Sequence, residues 1–183
     1  MKPEQQSAED QSIVIAESER LRLSQLTEAD ASVYLKIISD PDFKRFIGDR
    51  GAKTEADALS LMKEKVFRSY AELGFGMYLV SRRNDGTPLG IAGLVKRDFL
   101  EDIDVGYAFL PEARGMGYAT EAANACIALA SDTFKRSRLA AITDPENTAS
   151  IRVLLRIGFT PAGEIIFPDD NSRCAHFLLD LSA

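Results

Sequence analysis

The sequence predicts an α/β protein of the α+β kind, one mixed sheet with helices packed on it. Three observations lead there. Strand-like and helix-like stretches are interleaved along the chain rather than segregated. Two turn signals, Asn84-Asp85-Gly86 and Pro168-Asp169-Asp170-Asn171, each lie between two apolar runs and mark hairpins in the middle and at the end. No internal repeat and no low-complexity linker divides the 183 residues. That length suits one domain with a short tail: residues 1–12 read as a disordered lead-in and residues 13–183 as a single domain.

The elements follow in order. Ile13 to Gln25 roughly alternates, with Leu21 and Leu23 on one face, and reads as a first strand. Thr27-Glu28-Ala29-Asp30 opens a helix with an acidic first turn. That helix carries Ala31, Tyr34, Leu35 and Ile38 on one face and breaks at Asp40-Pro41; Asp42 to Ile47 adds a short turn. After a loop from Gly48 to Lys53, Thr54 to Asp57 is a second capping-type start, and Ala58, Leu61, Met62, Val66 and Tyr70 recur at helical spacing. Gly74 suits the end of that helix. Strands are expected at Phe75 to Ser81, Pro88 to Val95 and Asp102 to Phe109. A further strand, Arg138 to Thr143, precedes a helix that starts at Asp144-Pro145-Glu146-Asn147 and ends at Gly158. Phe159 to Phe167 and Ser172 to Leu181 are the final hairpin strands.

Composition narrows the function. The formal net charge is -6, with a pI near 4.9, which argues against binding nucleic acid through a bulk positive field. An acidic surface suits a cationic substrate such as an amine. Cys126 lies among alanines and reads as buried filler; Cys174 is far from it, and neither has metal-site spacing. His176 is the one histidine and sits in an apolar run, which suits a core or edge-strand role. No apolar stretch has the length of a membrane span and the N-terminus lacks a signal-peptide core, so a cytoplasmic, reduced protein is expected, with no metal, nucleic-acid or membrane partner.

Leu110 to Ala130 carries the strongest chemical signal. A strand runs into Pro111, and Arg114-Gly115-Met116-Gly117 leads into a helix. The first turn of a helix has unpaired N–H groups and a partial positive charge, and glycines before it allow an anion close to the backbone. Arg114 adds a fork-shaped donor suited to phosphate. Ala119, Ala122, Ala123, Cys126 and Ala130 form a small-residue face that lets the helix lie close to a sheet. The physics predicts a phosphate or pyrophosphate here. The nucleoside-triphosphate loop is excluded by the missing lysine, and the dinucleotide fingerprint fails because Thr120 holds its last position. Alone, the motif is equally compatible with a glycine turn that merely starts a helix.

Two separate blocks make it more specific. Arg114-x-x-Gly117-x-Ala119, in the run DVGYAFLPEARGMGYATEA, resembles the Q/R-x-x-G-x-G/A signature of the GNAT superfamily of acetyl-CoA-dependent N-acetyltransferases, in the form of its RimJ/RimL-like branch. Asp144 to Ser150 followed by IRVLLRIGF resembles that branch's N-x-x-S helix, and the likeness covers about Leu21 to Leu181. It implies a GNAT-like fold, a central, largely antiparallel twisted sheet flanked by helices. It implies acetyl-CoA as co-substrate and an amine acceptor, a protein or peptide N-terminus or a small amine, handled by a monomer or homodimer.

Residue by residue, the resemblance implies that the amides of Gly115, Met116, Gly117, Tyr118, Ala119 and Thr120 hold the coenzyme A pyrophosphate, with Arg114 at the loop's start. Phe109 and Leu110 would pair with the pantetheine arm, and an N–H near Phe109 would polarise the thioester carbonyl. Asn147 would bind the pantetheine and Ser150 would lie near the thiol. Asp104 is the leading candidate for the general base, with Asp102, two residues away on the same strand face, as the alternative; both are equally readable as solvated carboxylates. One departure stands out. Leu154 occupies the position where many members carry a tyrosine that protonates the leaving thiolate, and Ser150 is the candidate substitute. Pro41 to Lys53, with Phe43, Arg45 and Phe46, is expected at the acceptor cleft, and Arg152 and Arg156 near the cofactor's outer phosphate. Two other readings remain: an acyl-CoA-binding module without turnover, and an unrelated nucleotide-phosphate protein stabilised by ATP but not coenzyme A.

Overall fold

The structure is a computed structural model, and it describes residues 12–182. The expectation of a disordered tail falls mainly on residues 1–11, outside the described residues. The strands are β1 (Val14–Glu17), β2 (Leu21–Gln25), β3 (Met77–Arg82), β4 (Pro88–Val95), β5 (Ile103–Phe109), β6 (Arg138–Thr143), β7 (Thr160–Ile166) and β8 (Arg173–Asp180). They form one sheet in the order β1-β2-β3-β4-β5-β6-β8-β7. Every neighbouring pair is antiparallel except β5 and β6. The mixed, largely antiparallel sheet predicted from the sequence is therefore what forms.

The first strand is a correction. Ile13 to Gln25 is not continuous but folds into the β1–β2 hairpin. Ser18 N–H donates to the Leu21 carbonyl at 2.9 Å, and the Ser18 hydroxyl accepts from Leu21 N–H at 3.2 Å. No glycine, proline or asparagine marks this turn, because a serine and a distant partner, Glu121, hold it.

Helices α1 (Ala31–Ser39) and α2 (Pro41–Phe46) meet at Asp40, whose carboxylate caps α2 by accepting from the Asp42 and Phe43 amides. Pro41 occupies the first turn of α2, where its missing N–H costs nothing, so the chain that breaks α1 also starts α2. The segment from Thr54 to Gly74 comprises α3 (Glu55–Leu61), a π-helical stretch Met62–Phe67, and α4 (Arg68–Leu73). Gly74 ends it in the left-handed conformation, at φ 77.

The sheet buries a cluster on each face. On one, Leu21, Leu23, Tyr78, Val80, Leu94 and Val105 meet Ala122, Ala123, Cys126 and Ala130 of α5 (Tyr118–Asp132). Those four α5 side chains are fully buried, as their spacing predicted. On the other, Leu26, Leu79, Ile91 and Leu110 meet Ile37, Ile38, Phe43, Met62 and Val66. Helix α6 (Thr148–Arg156) follows β6 and inserts Leu154 into the first cluster. Among the described residues no helix is long and apolar enough to cross a membrane.

Candidate active site

The site begins where two strands part. β5 pairs with β4 without interruption from Phe109↔Gly90 to Asp104↔Val95. With β6 it pairs only at Ile103↔Leu139 and Asp104↔Ala140. β6 meanwhile stays bonded to β8 along its length. A gap therefore opens between β5 and β6 beyond Asp104. Leu110 N–H donates to the Leu89 carbonyl at 2.9 Å, so by strand alternation the polar groups of Ala108, Gly106 and Asp104 turn toward β4. Those of Val105, Tyr107 and Phe109 turn toward β6 and the gap. A ligand lying there would find strand-like backbone partners, including the Phe109 N–H.

Past the end of β5 a single helical turn, Pro111–Ala113, leads into the glycine loop. Gly115 and Gly117 have φ values of 76 and 79, a region costly for residues with a Cβ. Among the described residues no side chain caps α5. Its first backbone bond is Glu121 N–H to the Gly117 carbonyl, at 3.1 Å, so the Tyr118, Ala119 and Thr120 amides lie in the unladdered first turn. Loop and 15-residue helix thus present N–H groups and the positive dipole end near the mouth of the gap.

Arg114 requires a correction. Its guanidinium does not stand free for a phosphate. Nε donates to the Phe109 carbonyl at 3.0 Å, Nη1 to Asp42 Oδ2 at 2.8 Å, and Nη2 to Asp40 Oδ1. A rigid fork matches this arrangement well, and it ties the loop to the α1–α2 junction. A second arginine, which the sequence reading missed, holds the other side. Arg20 donates through Nη1 to the Met116 carbonyl at 2.9 Å and through Nε to Glu121 at 2.7 Å, and lies over the Tyr118 ring at 4.7 Å. Only a basic residue in the turn before β2 hinted at it.

Asp104 is 2% exposed. Its Oδ2 accepts from Arg97 Nε at 2.6 Å. Its Oδ1 is buried and accepts no well-formed hydrogen bond, although the Ile142 amide on β6 lies close by. Burial pushes its carboxyl above the usual aspartate range, against the pull of Arg97. The next residue on that strand face is Gly106, where an added Cβ would meet nothing nearer than Met77 Sδ at 3.6 Å. Asp102 lies just before β5 and pairs with Arg138 Nε at 2.8 Å.

Across the gap, Asn147 caps α6, its Oδ1 accepting from Ser150 N–H at 3.1 Å. That leaves the carboxamide NH2 as the end able to face a ligand. Ser150 Oγ lies 3.1 Å from the Tyr107 hydroxyl, and the same hydroxyl is 3.3 Å from the Ser150 carbonyl oxygen. Burial pushes Tyr107 up to about 12; the Ser150 bond opposes this and the Asp104 carboxylate adds to it. Tyr107 was not singled out from the sequence. Leu154 is 1% exposed and points into the core, so its position does not face the gap.

The remaining expectations divide. Phe43 is buried in the second cluster and cannot line a cleft, whereas Arg45 is exposed and Phe46 half-buried, with Arg45 pairing with Glu146 at 3.3 Å. Arg152 and Arg156 are exposed on α6. Cys126 is fully buried and its thiol is pushed up to about 12 by burial, as inert filler should be. Among the described residues no group of three or more His, Cys, Asp or Glu is arranged to hold a metal ion.

The family described as the acetyltransferase (GNAT) domain matches residues 20–160. YkkB of Bacillus subtilis is 28% identical over 144 residues, covering 77% of this chain and 82% of YkkB. The uncharacterised N-acetyltransferase YoaA of the same organism is 26% identical over 152 residues, covering 81% and 84%. An acetyltransferase from Agrobacterium tumefaciens superposes with a TM-score of 0.77 at 23% identity, covering 92% of this chain and 95% of that one. RimL, the ribosomal L7/L12 α-N-protein acetyltransferase, in complex with coenzyme A, superposes with a TM-score of 0.78 at 15% identity, covering 93% and 99%. The two structures share the fold, and the family match spans most of the chain: it belongs to the GNAT acetyltransferase family.

Proposed function

We propose that residues 13–183 act as one domain that transfers the acetyl group of acetyl-CoA to a primary amine, as an N-acetyltransferase of the RimJ/RimL-like branch working in the cytoplasm. One observation carries this reading: β5 leaves β6 after two paired residues, and the opening leads to the glycine loop at the head of α5. The pantetheine arm would lie along β5, bonded to the outward groups of Tyr107 and Phe109, and the pyrophosphate would sit on the amides from Gly115 to Thr120. Asn147 would bind the arm from α6. Asp104 would take the proton of the attacking amine, its raised carboxyl making it a better base than an ordinary aspartate. The Phe109 N–H would stabilise the oxyanion of the tetrahedral intermediate.

The acceptor is a protein N-terminus or a small amine. RimL, which shares the fold, is an α-N-acetyltransferase of the ribosomal protein L7/L12, and this supports the first. A second reading, an acyl-CoA-binding module without turnover, is favoured by the Arg97 contact, which occupies one oxygen of the candidate base. A panel of N-terminal peptides and small amines, incubated with acetyl-CoA and followed by thiol release and mass gain, separates the two. Amine-dependent thiol release with acetylated product is expected. Tight acetyl-CoA binding with no release on any amine would favour the module.

A further inference from the structure

We infer that Arg97, held against the rings of Phe99 and Phe167, is a positioning residue that keeps Asp104 ionised and leaves Oδ1 as the oxygen that takes the amine's proton. This rests on the reading of Asp104 as the general base above. Arg97 lies in the loop between β4 and β5 and donates through Nε to Asp104 Oδ2 at 2.6 Å. Its guanidinium carbon is 6.0 Å from the centre of the Phe99 ring and 5.6 Å from that of Phe167, within reach of cation–π attraction. The two rings meet edge to face, 5.1 Å between centres. Phe99 shares the loop with Arg97, but Phe167 comes from the turn between β7 and β8, and β6 and β8 stand between β5 and β7 in the sheet. The aromatic clasp therefore joins the two halves of the sheet that part at the β5–β6 gap. Both of its ends are fixed by backbone. Leu100 N–H donates to the Arg97 carbonyl at 3.1 Å, and Phe167 N–H donates to the Ser172 carbonyl at 2.8 Å while its own carbonyl accepts from Asn171 N–H at 2.9 Å.

An arginine that serves only to stabilise a buried carboxylate does so best with two parallel bonds, one to each oxygen. Arg97 uses Nε on Oδ2 and leaves Oδ1 buried without a well-formed hydrogen bond. One oxygen is thus fixed and the other kept for a proton. Burial pushes this carboxyl up, while the charge and the hydrogen bond of Arg97 pull it back. The ionisable groups around the pair are Tyr107 on β5, which feels the charge of Asp104, and Cys174 on β8, which feels Arg97, Asp144 and Asp170. From β6 the Ile142 amide approaches, with His176 of β8 opposite it in register. In the reaction the amine nitrogen bonds to the thioester carbon, its proton passes to Asp104 Oδ1, and the C–S bond breaks with its electron pair on sulfur. Asp104 returns the proton to solvent.

The test reads Asp104 in the intact protein labelled with carboxyl-¹³C aspartate. Asp104→Asn identifies the resonance, and its titration midpoint is measured in wild type, Arg97→Met, Arg97→Lys and Phe167→Leu. Removing the cation should raise the midpoint by roughly one to three pH units, the effect of an arginine beside an aspartate. Phe167→Leu keeps both partners of the ion pair and removes only the ring; it should raise the midpoint by less, and it keeps the test open should Arg97→Met fail to fold. Arg97→Lys, which keeps the charge, should stay closer to wild type than Arg97→Met. The acid limb of the kcat–pH profile should move up with the midpoint in each variant. A midpoint unchanged in Arg97→Met overturns the inference, as does a Phe167→Leu protein that loses stability in urea but keeps the wild-type midpoint, which marks a structural contact. A midpoint that rises while the acid limb of kcat stays in place overturns Asp104 as the base, and the inference with it, but leaves the acetyl-CoA reading intact. No thiol release with any amine overturns both.

Discussion

Asp104 holds two opposed features in one side chain: an ion pair with Arg97 on one oxygen, and a buried, poorly satisfied second oxygen. The first stabilises the carboxylate and the second resists it, and burial dominates, so the carboxyl is raised. A base must be deprotonated to act. Turnover should therefore fall on the acid side at a pH above roughly 4, the ordinary aspartate value. Asp104→Asn should lower kcat by roughly 10²–10⁴ and change acetyl-CoA binding little. A pH–rate profile and steady-state rates check both, and unchanged turnover across pH would remove Asp104 from the mechanism. At this scale the sequence was partly legible. Asp104 could be chosen because it lies just before Gly106-Tyr107 on a strand, and Asn147 and Ser150 because they share a short motif. Tyr107 could not, since its meaning lies in a partner 43 residues away. Arg114 was read for phosphate because Asp40 and Asp42 are far away in the chain and adjacent only in space.

Among the elements, the glycine loop is held from both sides. Arg20 ties it to the β1–β2 hairpin, and Arg114 ties it to the α1–α2 junction, the side on which the acceptor cleft was expected. Asp40, which also caps α2, is nearly buried, so removing Arg114 would leave its carboxylate without its cation. Breaking a fully buried pair costs about 3–5 kcal/mol. Arg114's side chain is 37% exposed, so Arg114→Ala should cost less, roughly 1–3 kcal/mol in urea unfolding. Arg114→Lys should not restore it, because an ammonium cannot reach three acceptors in a plane. A variant with wild-type stability would show that this clasp holds nothing. Turn chemistry decided which elements could be read in advance. Asn84-Asp85-Gly86 announced the β3–β4 hairpin, while the β1–β2 turn rests on Ser18 and Glu121 and carried no signal. The small-residue face of α5 was legible because helical spacing alone fixes it: Ala122, Ala123, Cys126 and Ala130 are fully buried and Ala119 partly so.

Across the whole molecule, the sheet order explains why the site lies where it does. Among the described residues the one parallel pair, β5 and β6, is joined by the crossover that contains the glycine loop and α5. The strands' separation and the helix's amide-rich start therefore fall at the same place. Alternation and turn signals predicted the mixed sheet, but they do not encode how far two strands stay paired, so the gap itself came only with the structure. An overall charge of -6 supplies no general positive field, so a phosphate bound at the loop would rely on its local amides. The most direct test of the central claim, that this gap holds the acetyl donor, is a crystal structure with coenzyme A. The pantetheine arm should run along β5 toward Ser150, with the pyrophosphate on the amides of Gly115 to Thr120. Coenzyme A bound away from the β5–β6 gap would contradict it.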